Sequence, residues 1–301
     1  MQLWLAATLA AALFQCWRTA MQQKLRGQLS VNGAGVVRYL YGVPVAAVYL
    51  GVWALGHGST LPLLSTTFWL YTLGGGLAQI IATNLLIMAF GFRGFAVGTA
   101  YAKTESIQAA LLALALLGET VSLLSWAGIG LSLAGVLYLS LAGRTGSLRE
   151  VAAATVQPAA LCGLAAGFFF GAATVLIKGA NVTLDLDDKV FGALLTLFLM
   201  NGMQTALQGG YLLAREPAEL AKVFASWRDS RWVGALSASG SSCWFIAFAL
   251  APVALVRSIG QVEIVFTLLF SAFYLKETLK RKDVVGAIIV VAGVVLVVAG
   301  R

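Results

Sequence analysis

The sequence predicts an all-α, polytopic membrane protein with ten transmembrane helices arranged as two inverted five-helix repeats. Three observations predict it. The 301 residues are 60% hydrophobic and 11% charged, with a mean hydropathy of +0.89, whereas a soluble domain carries roughly a quarter charged residues. Apolar stretches near the roughly 20 residues that a spanning helix needs follow one another almost end to end. Two glutamates inside such stretches, Glu105 and Glu263, are each followed fourteen residues later by a Glu-Thr pair, Glu119-Thr120 and Glu277-Thr278. Both members of the second set stand 158 positions after those of the first, and four of only seven glutamates take part.

The expected spans are 2–23, 31–54, 66–90, 94–117, 121–142, 156–179, 190–213, 231–250, 253–276 and 283–300. The first resembles a signal-peptide core. It lacks a preceding basic segment and a small-residue cleavage site, so it reads as an uncleaved helix. Polar or Gly-containing separators follow at 24–32, 56–62, 91–94, 144–150, 181–189 and 215–231. The last is the longest, and its segment from Pro217 to Phe224 reads as a short interfacial helix. The junctions after the fourth and eighth spans are very short, which leaves counts of nine or eleven open.

The 158-residue offset also superimposes Gly76 on Gly234, Gly128 on Gly286, and Ala134-Gly135-Val136 on Ala292-Gly293-Val294. The expected units are therefore 1–150 and 151–301. Five spans per unit force the second to insert upside down, and inverted repeats place solute sites near the midplane. Gly128 and Gly135, like Gly286 and Gly293, share a helical face, so the fifth span is expected to pack on its own repeat or on the tenth.

Basic residues test the topology. Lys24, Arg26, Arg93, Arg144, Arg149, Arg215, Lys222, Arg228, Arg231, Lys276, Lys280, Arg281 and Lys282 fall on one side. Lys178, Lys189 and Arg301 fall on the other. The basic side is expected to be cytoplasmic and both termini extracytoplasmic. The net charge of +8 thus reads as a topology signal, with no nucleic-acid partner. Cys16, Cys162 and Cys243 are isolated in apolar runs, and His57 is the single histidine. No metal site, catalytic triad or cofactor is expected, and no Walker-type phosphate loop is present.

Several of these residues resemble the drug/metabolite transporter superfamily, EamA type. They are Arg38 near the start of the second span, Leu116-Leu117-Gly118-Glu119 with Gly128 and Leu133-Ala134-Gly135-Val136, and Leu275-Lys276-Glu277 with Gly286 and Val291-Ala292-Gly293-Val294. The resemblance covers nearly the whole chain, best over 94–142 and 253–300. It implies ten helices, two repeats, small-solute transport and a cavity lined by spans 1, 3, 4, 6, 8 and 9. Two cavity helices depart from the family's usual residues, at Gln15-Cys16-Trp17-Arg18 and at Lys103-Thr104-Glu105.

Ionisable residues within spans are costly and mark functional sites by default. Lys103 and Glu105 lie too deep to reach the surface, and on a regular helix they point about 200° apart. Glu105 is expected to meet Glu263, Arg257 or Arg18. Arg257 and Gln261, four apart, share a helical face. Arg38 is expected to snorkel to the interface, while Arg18 is balanced between snorkelling and lining the cavity. The substrate-binding candidates are Glu105, Glu263, Lys103, Arg257, Gln261, Arg18, Gln15, Tyr101, Gln79 and Trp244, with Glu105 and Glu263 as proton-coupling residues. For Gln79, Tyr101 and Trp244, as for Asn84, Asn201 and Gln204, packing between helices is the more ordinary role.

A site with both signs of charge suits a zwitterion, and four basic against two acidic groups also permits an organic anion. The expected function is secondary active export of amino acids or related zwitterionic or anionic metabolites. The two halves rock in alternating access, driven by proton exchange or by the solute gradient alone. Alternatives are an organic-cation or multidrug transporter, a channel, or a lipid flippase. The expected partners are a small solute and the lipid bilayer of the inner or plasma membrane, in a monomer or homodimer.

Overall fold

The computed structural model describes residues 2–25, 27–91, 101–141, 157–273 and 281–300, and all regular structure among them is helical. The helices are α1 (Leu3–Leu25), α2 (Val31–Leu40), α3 (Gly42–His57), α4 (Thr66–Gly91), α5 (Glu105–Leu117), α6 (Leu123–Leu141), α7 (Pro158–Thr183), α8 (Lys189–Arg215), α9 (Pro217–Ala225), α10 (Trp227–Leu250), α11 (Val253–Gly260), α12 (Glu263–Phe273) and α13 (Arg281–Ala299). The expected helical residues 94–100, and Arg26, Arg93, Arg144, Arg149, Lys276, Glu277, Thr278, Lys280 and Arg301, lie outside the described residues.

Among the described residues, five segments are long and apolar enough to cross a bilayer: α2 with α3, α4, α7, α8 and α10. Helices α5, α6 and α13 are shorter apolar segments. Large aliphatic side chains point outward along them, including Leu55 (89% exposed) and Ile288 (62%). Such faces are a liability in water and neutral against lipid tails. The chain is a multi-pass membrane protein.

Among the described residues, three expected spans are interrupted. The second breaks at Tyr41, between α2 and α3. Pro44 lacks an N–H and cannot bond the Leu40 carbonyl one turn back, so the helix resets there. A Cβ on Gly234 of α10 would stand 2.6 Å from the Tyr41 carbonyl carbon, so only glycine lets α10 lie against that break. The fourth and ninth spans break near their middles, as described below. Pro252 stops α10, because the residue before a proline is driven out of the helical region. Ala251 is indeed extended, at φ −145°, ψ 161°.

The residues group into two compact units, Met1–Ile80 with Ala173–Ala251, and Ile81–Ala172 with Pro252–Arg301. Each draws on both halves of the sequence, and the chain changes unit within α4, within α7 and after Ala251. In the first unit α1 packs on α10, and α8 on α2, α3 and α10. Its ends are tied by acids outside the spans. Asp188 accepts from the Phe191 N–H (2.9 Å), the Trp53 indole (2.8 Å) and the Ser59 hydroxyl (3.2 Å). Glu219 of α9 accepts from the Ser30 N–H, and Glu216 from Asn32 Nδ2 at 2.9 Å.

In the second unit α6 packs on α13 and α5 on α11. The α6–α13 seam is built from glycine. A Cβ on Gly128 would stand 2.7 Å from the Gly293 carbonyl oxygen, and one on Gly135 2.8 Å from the Val290 nitrogen. The fifth span thus meets the tenth, one of the two partners expected for it. Glu119 accepts from the Val253 N–H at 2.7 Å, satisfying a donor at the start of α11.

Candidate functional site

Two helical segments of the second unit break at matching places. Lys103 and Thr104 form a turn before α5, and Gln261 and Val262 form a turn between α11 and α12. Lys103 and Gln261 are 158 residues apart, the separation of Glu105 from Glu263. At both breaks the backbone tightens to three-residue spacing. The N–H of Thr104 donates to the Tyr101 carbonyl (3.1 Å), that of Gln261 to Ser258 (3.1 Å) and that of Val262 to Ile259 (3.0 Å). Such steps mark hinges or strain within helices. Hydroxyls reinforce them, since Thr104 Oγ1 donates to the Tyr101 carbonyl and Ser258 Oγ to the Ala254 carbonyl, both at 2.6 Å. Gly167 of α7 makes room for the first break: a Cβ there would stand 3.0 Å from the Ala102 carbonyl oxygen and 3.2 Å from the Glu105 nitrogen.

A new helix start exposes N–H groups and a partial positive charge, which favour a carboxylate. Both α5 and α12 open on a glutamate, Glu105 and Glu263. Each acid also meets a base. Lys103 Nζ lies 2.6 Å from Glu263 Oε2, with the side chains 15% and 11% exposed. Arg257 Nη1 lies 3.2 Å from Glu105 Oε1, with the side chains 10% and 14% exposed. Lys103 is also within electrostatic reach of Glu105 and Arg257, so the two pairs form one cluster with no net charge. Gln261 Nε2 donates to the Lys103 carbonyl at 3.1 Å, the acceptor released by the break. Gln261 Oε1 is buried without a hydrogen-bond partner. Tyr101 is buried beside the first break against Ala160 and Leu164.

Five of the ten candidates, Lys103, Glu105, Arg257, Gln261 and Glu263, therefore meet directly, with Tyr101 adjacent. The angular argument for Lys103 and Glu105 assumed an unbroken helix. The break replaces that geometry, and each residue finds its own partner of opposite charge. Of the partners expected for Glu105, the structure selects Arg257.

The other four candidates belong to the first unit. Gln15 Oε1 accepts from the Trp244 indole at 3.0 Å, and Trp244 stacks on Phe248 at 5.7 Å. Gln79 Oε1 accepts from Gln204 Nε2 at 2.8 Å, and the same Gln204 amide reaches the Gly76 carbonyl at 3.1 Å. Arg18 is 9% exposed. Arg38 is 5% exposed, which corrects the expectation that it snorkels. Helices α8 and α10 both pack against α2 and cover it.

Glu216 and Glu219 were not anticipated. Their tie to α2 spans more than 180 residues of sequence, and an acid in a polar loop carries no mark of it. Burial pushes the Glu219 carboxyl up, but hydrogen bonds from Ser30 and the Lys222 ammonium outweigh it and hold it below the usual range. Asp188 behaves alike: burial raises it, but the Phe191, Trp53 and Ser59 donors outweigh that and hold it below the usual range.

Known proteins resemble this chain in two ways. A crystal structure described only as that of a protein aligns at a TM-score of 0.69 over 97% of this chain and 98% of its own, with 18% identity. That likeness is one of fold. No curated protein matches the sequence. Residues 157–299 match the EamA-like transporter family. The matched region takes in α7 to α13, with Arg257, Gln261 and Glu263 among its residues. Over residues 157–299 the chain is similar to the EamA-like transporter family, a family of membrane transporters within the drug/metabolite transporter superfamily.

Proposed function

We propose that the protein is a secondary active transporter of a small zwitterionic or anionic metabolite, with amino acids and related compounds as the substrate class and export as the direction. The paired charges at the two helix breaks support this reading most. At an effective dielectric of about 20, unit charges 4 Å apart attract by about 4 kcal/mol. Desolvating each ion costs several kcal/mol. Such pairs therefore add little net stability, and function gives a reason to keep them.

Lys103 and Arg257 offer N–H donors to a solute carboxylate, and Glu105 and Glu263 offer acceptors to an ammonium. A zwitterion replaces both internal partners at once and leaves no charge uncompensated. A solute with only a positive charge would leave both bases unpaired, so the organic-cation reading has less support. Proton exchange supplies the coupling. A proton on Glu263 releases Lys103 for the solute, and its loss restores the pair. Helices α5, α11 and α12, which abut the breaks, are short levers, and bending there exposes the charges alternately to either side of the membrane.

The wider frame belongs to the same proposal. The chain has ten spans in two inverted repeats, 1–150 and 151–301, within the inner or plasma membrane. Its basic loops are cytoplasmic and its termini extracytoplasmic, and it works without a cofactor. Purified protein in proteoliposomes, assayed with a labelled metabolite panel under an imposed pH gradient, tests the function. Gradient-dependent movement of a zwitterion supports it. Movement of cations alone, or conductance without saturation, rules it out. Cysteine labelling of 185–188 from the cytoplasmic side would reverse the orientation.

A further inference from the structure

Helix α10 begins with Trp227-Arg228-Asp229-Ser230-Arg231-Trp232. At about 100° per residue, Trp227, Arg228, Arg231 and Trp232 cover one side of the helix. Asp229 falls outside that arc. Ser230 and Val233 are buried on the other side. Trp227 is 47% exposed and Trp232 53%. The Arg231 guanidinium lies over both indoles, 5.0 Å from the Trp227 ring and 5.3 Å from the Trp232 ring. Arg228 lies 6.0 Å from the Trp227 ring. Neither arginine has a carboxylate partner among the described residues. Phe224, 54% exposed, extends the aromatic surface from α9.

We infer that this face binds an anionic phospholipid through its headgroup phosphate. The four side chains occupy the first turn and a half of a membrane span, about 8 Å along the axis, which is headgroup depth. Cation–π attraction to the indoles holds the two guanidinium groups at this face, and a guanidinium can offer two parallel bonds to phosphate oxygens. The tryptophans meet the glycerol and upper acyl region, where amphipathic rings settle. Lys222 contributes less, because it is shared with Glu219 at 3.2 Å. This surface is independent of the ion-pair cluster and of the transport reading.

The test is native mass spectrometry of the full chain, titrated with palmitoyl-oleoyl phosphatidylglycerol or the matching phosphatidylcholine. Wild type is expected to retain phosphatidylglycerol preferentially. Arg228→Gln/Arg231→Gln is expected to bind it about thirtyfold more weakly, from about fivefold per arginine near an anionic headgroup. Phosphatidylcholine binding and the unfolding temperature are expected to stay unchanged. Arg215→Gln, at an exposed arginine off this face, is expected to bind as wild type does. Arg231→Lys keeps the charge without the paired guanidinium donors and is expected to lose part of the preference. The inference is overturned by equal retention of both lipids, by a double variant that binds like wild type, or by an equal loss in Arg215→Gln. Displacement by inorganic phosphate, or tighter binding of an acidic peptide, overturns it as well.

Discussion

The side-chain amide of Gln261 donates to the main-chain carbonyl of Lys103 at 3.1 Å, joining residues that hold the same position in the two broken helices. The same offset relates Glu105 to Glu263, but the bases do not follow it. The counterpart of Lys103 is the neutral Gln261, and the counterpart of Arg257, at position 99, is a threonine. The two acids are alike in place and unlike in partner, so their replacement has different consequences.

Glu263→Gln leaves the Lys103 ammonium buried without its closest acid. It is expected to abolish exchange and to destabilise by about 3 kcal/mol. Lys103→Met/Glu263→Gln is expected to regain most of that stability and none of the transport. Thermal unfolding in detergent and flux in proteoliposomes separate the two effects. Normal flux by the double variant would remove this pair from the mechanism.

Glu105→Gln is expected to stop transport at a smaller cost in stability. The guanidinium of Arg257 is more weakly hydrated than an ammonium and tolerates a neutral amide acceptor better. Unfolding of the two single variants, measured side by side, checks the order. Equal losses would show that the asymmetry of the bases has no energetic meaning.

Gln261→Leu removes the closer of two donors to the Lys103 carbonyl, leaving the Ser106 hydroxyl at 3.4 Å. Interhelical hydrogen bonds in membranes average about 0.6 kcal/mol, so stability is expected to fall modestly. Solute affinity is expected to fall tenfold or more, about 1.4 kcal/mol, because the break loses its tie and the site its free acceptor, Oε1. Binding isotherms with the identified solute decide this, and unchanged affinity would make Gln261 a packing residue only.

Gly128→Leu and Gly293→Leu are expected to unfold the protein or shift its melting sharply. Even one extra methyl at Gly128 would lie 2.7 Å from a carbonyl oxygen, and overpacking of this kind costs about 1–3 kcal/mol. Gly130→Ala, where a Cβ meets nothing within 4 Å, is the control and is expected to melt as wild type does.

Glu219 predicts a pH dependence. Its carboxyl is held below the ordinary value in the folded chain, so the unfolded chain binds a proton first as pH falls. The stabilisation is complete at neutral pH, declines once pH drops into the ordinary carboxylate range, and is gone below the folded-state value. Glu219→Gln is therefore expected to lower the melting temperature at pH 7 and to converge with wild type at acidic pH. Parallel melting curves across pH would contradict this.

Much of this was readable from the residues in order. Hydropathy and the scarcity of charge establish a membrane protein, because each apolar run reports its own solvent preference. The glutamate offset singled out Glu105 and Glu263, and the spacing of Gly128, Gly135, Gly286 and Gly293 marked the faces on which α6 and α13 meet. Arg257, Gln261 and Lys103 stood out as polar groups at costly depth. Tertiary structure decided the rest. It placed the breaks at Lys103 and Gln261, gave Lys103 to Glu263 and Arg257 to Glu105, buried Arg38, and docked Glu219 on the start of α2. Helical periodicity assumes an unbroken helix and sees only neighbours in sequence, whereas each of those pairings joins residues more than 150 positions apart and exists only once the helices are packed.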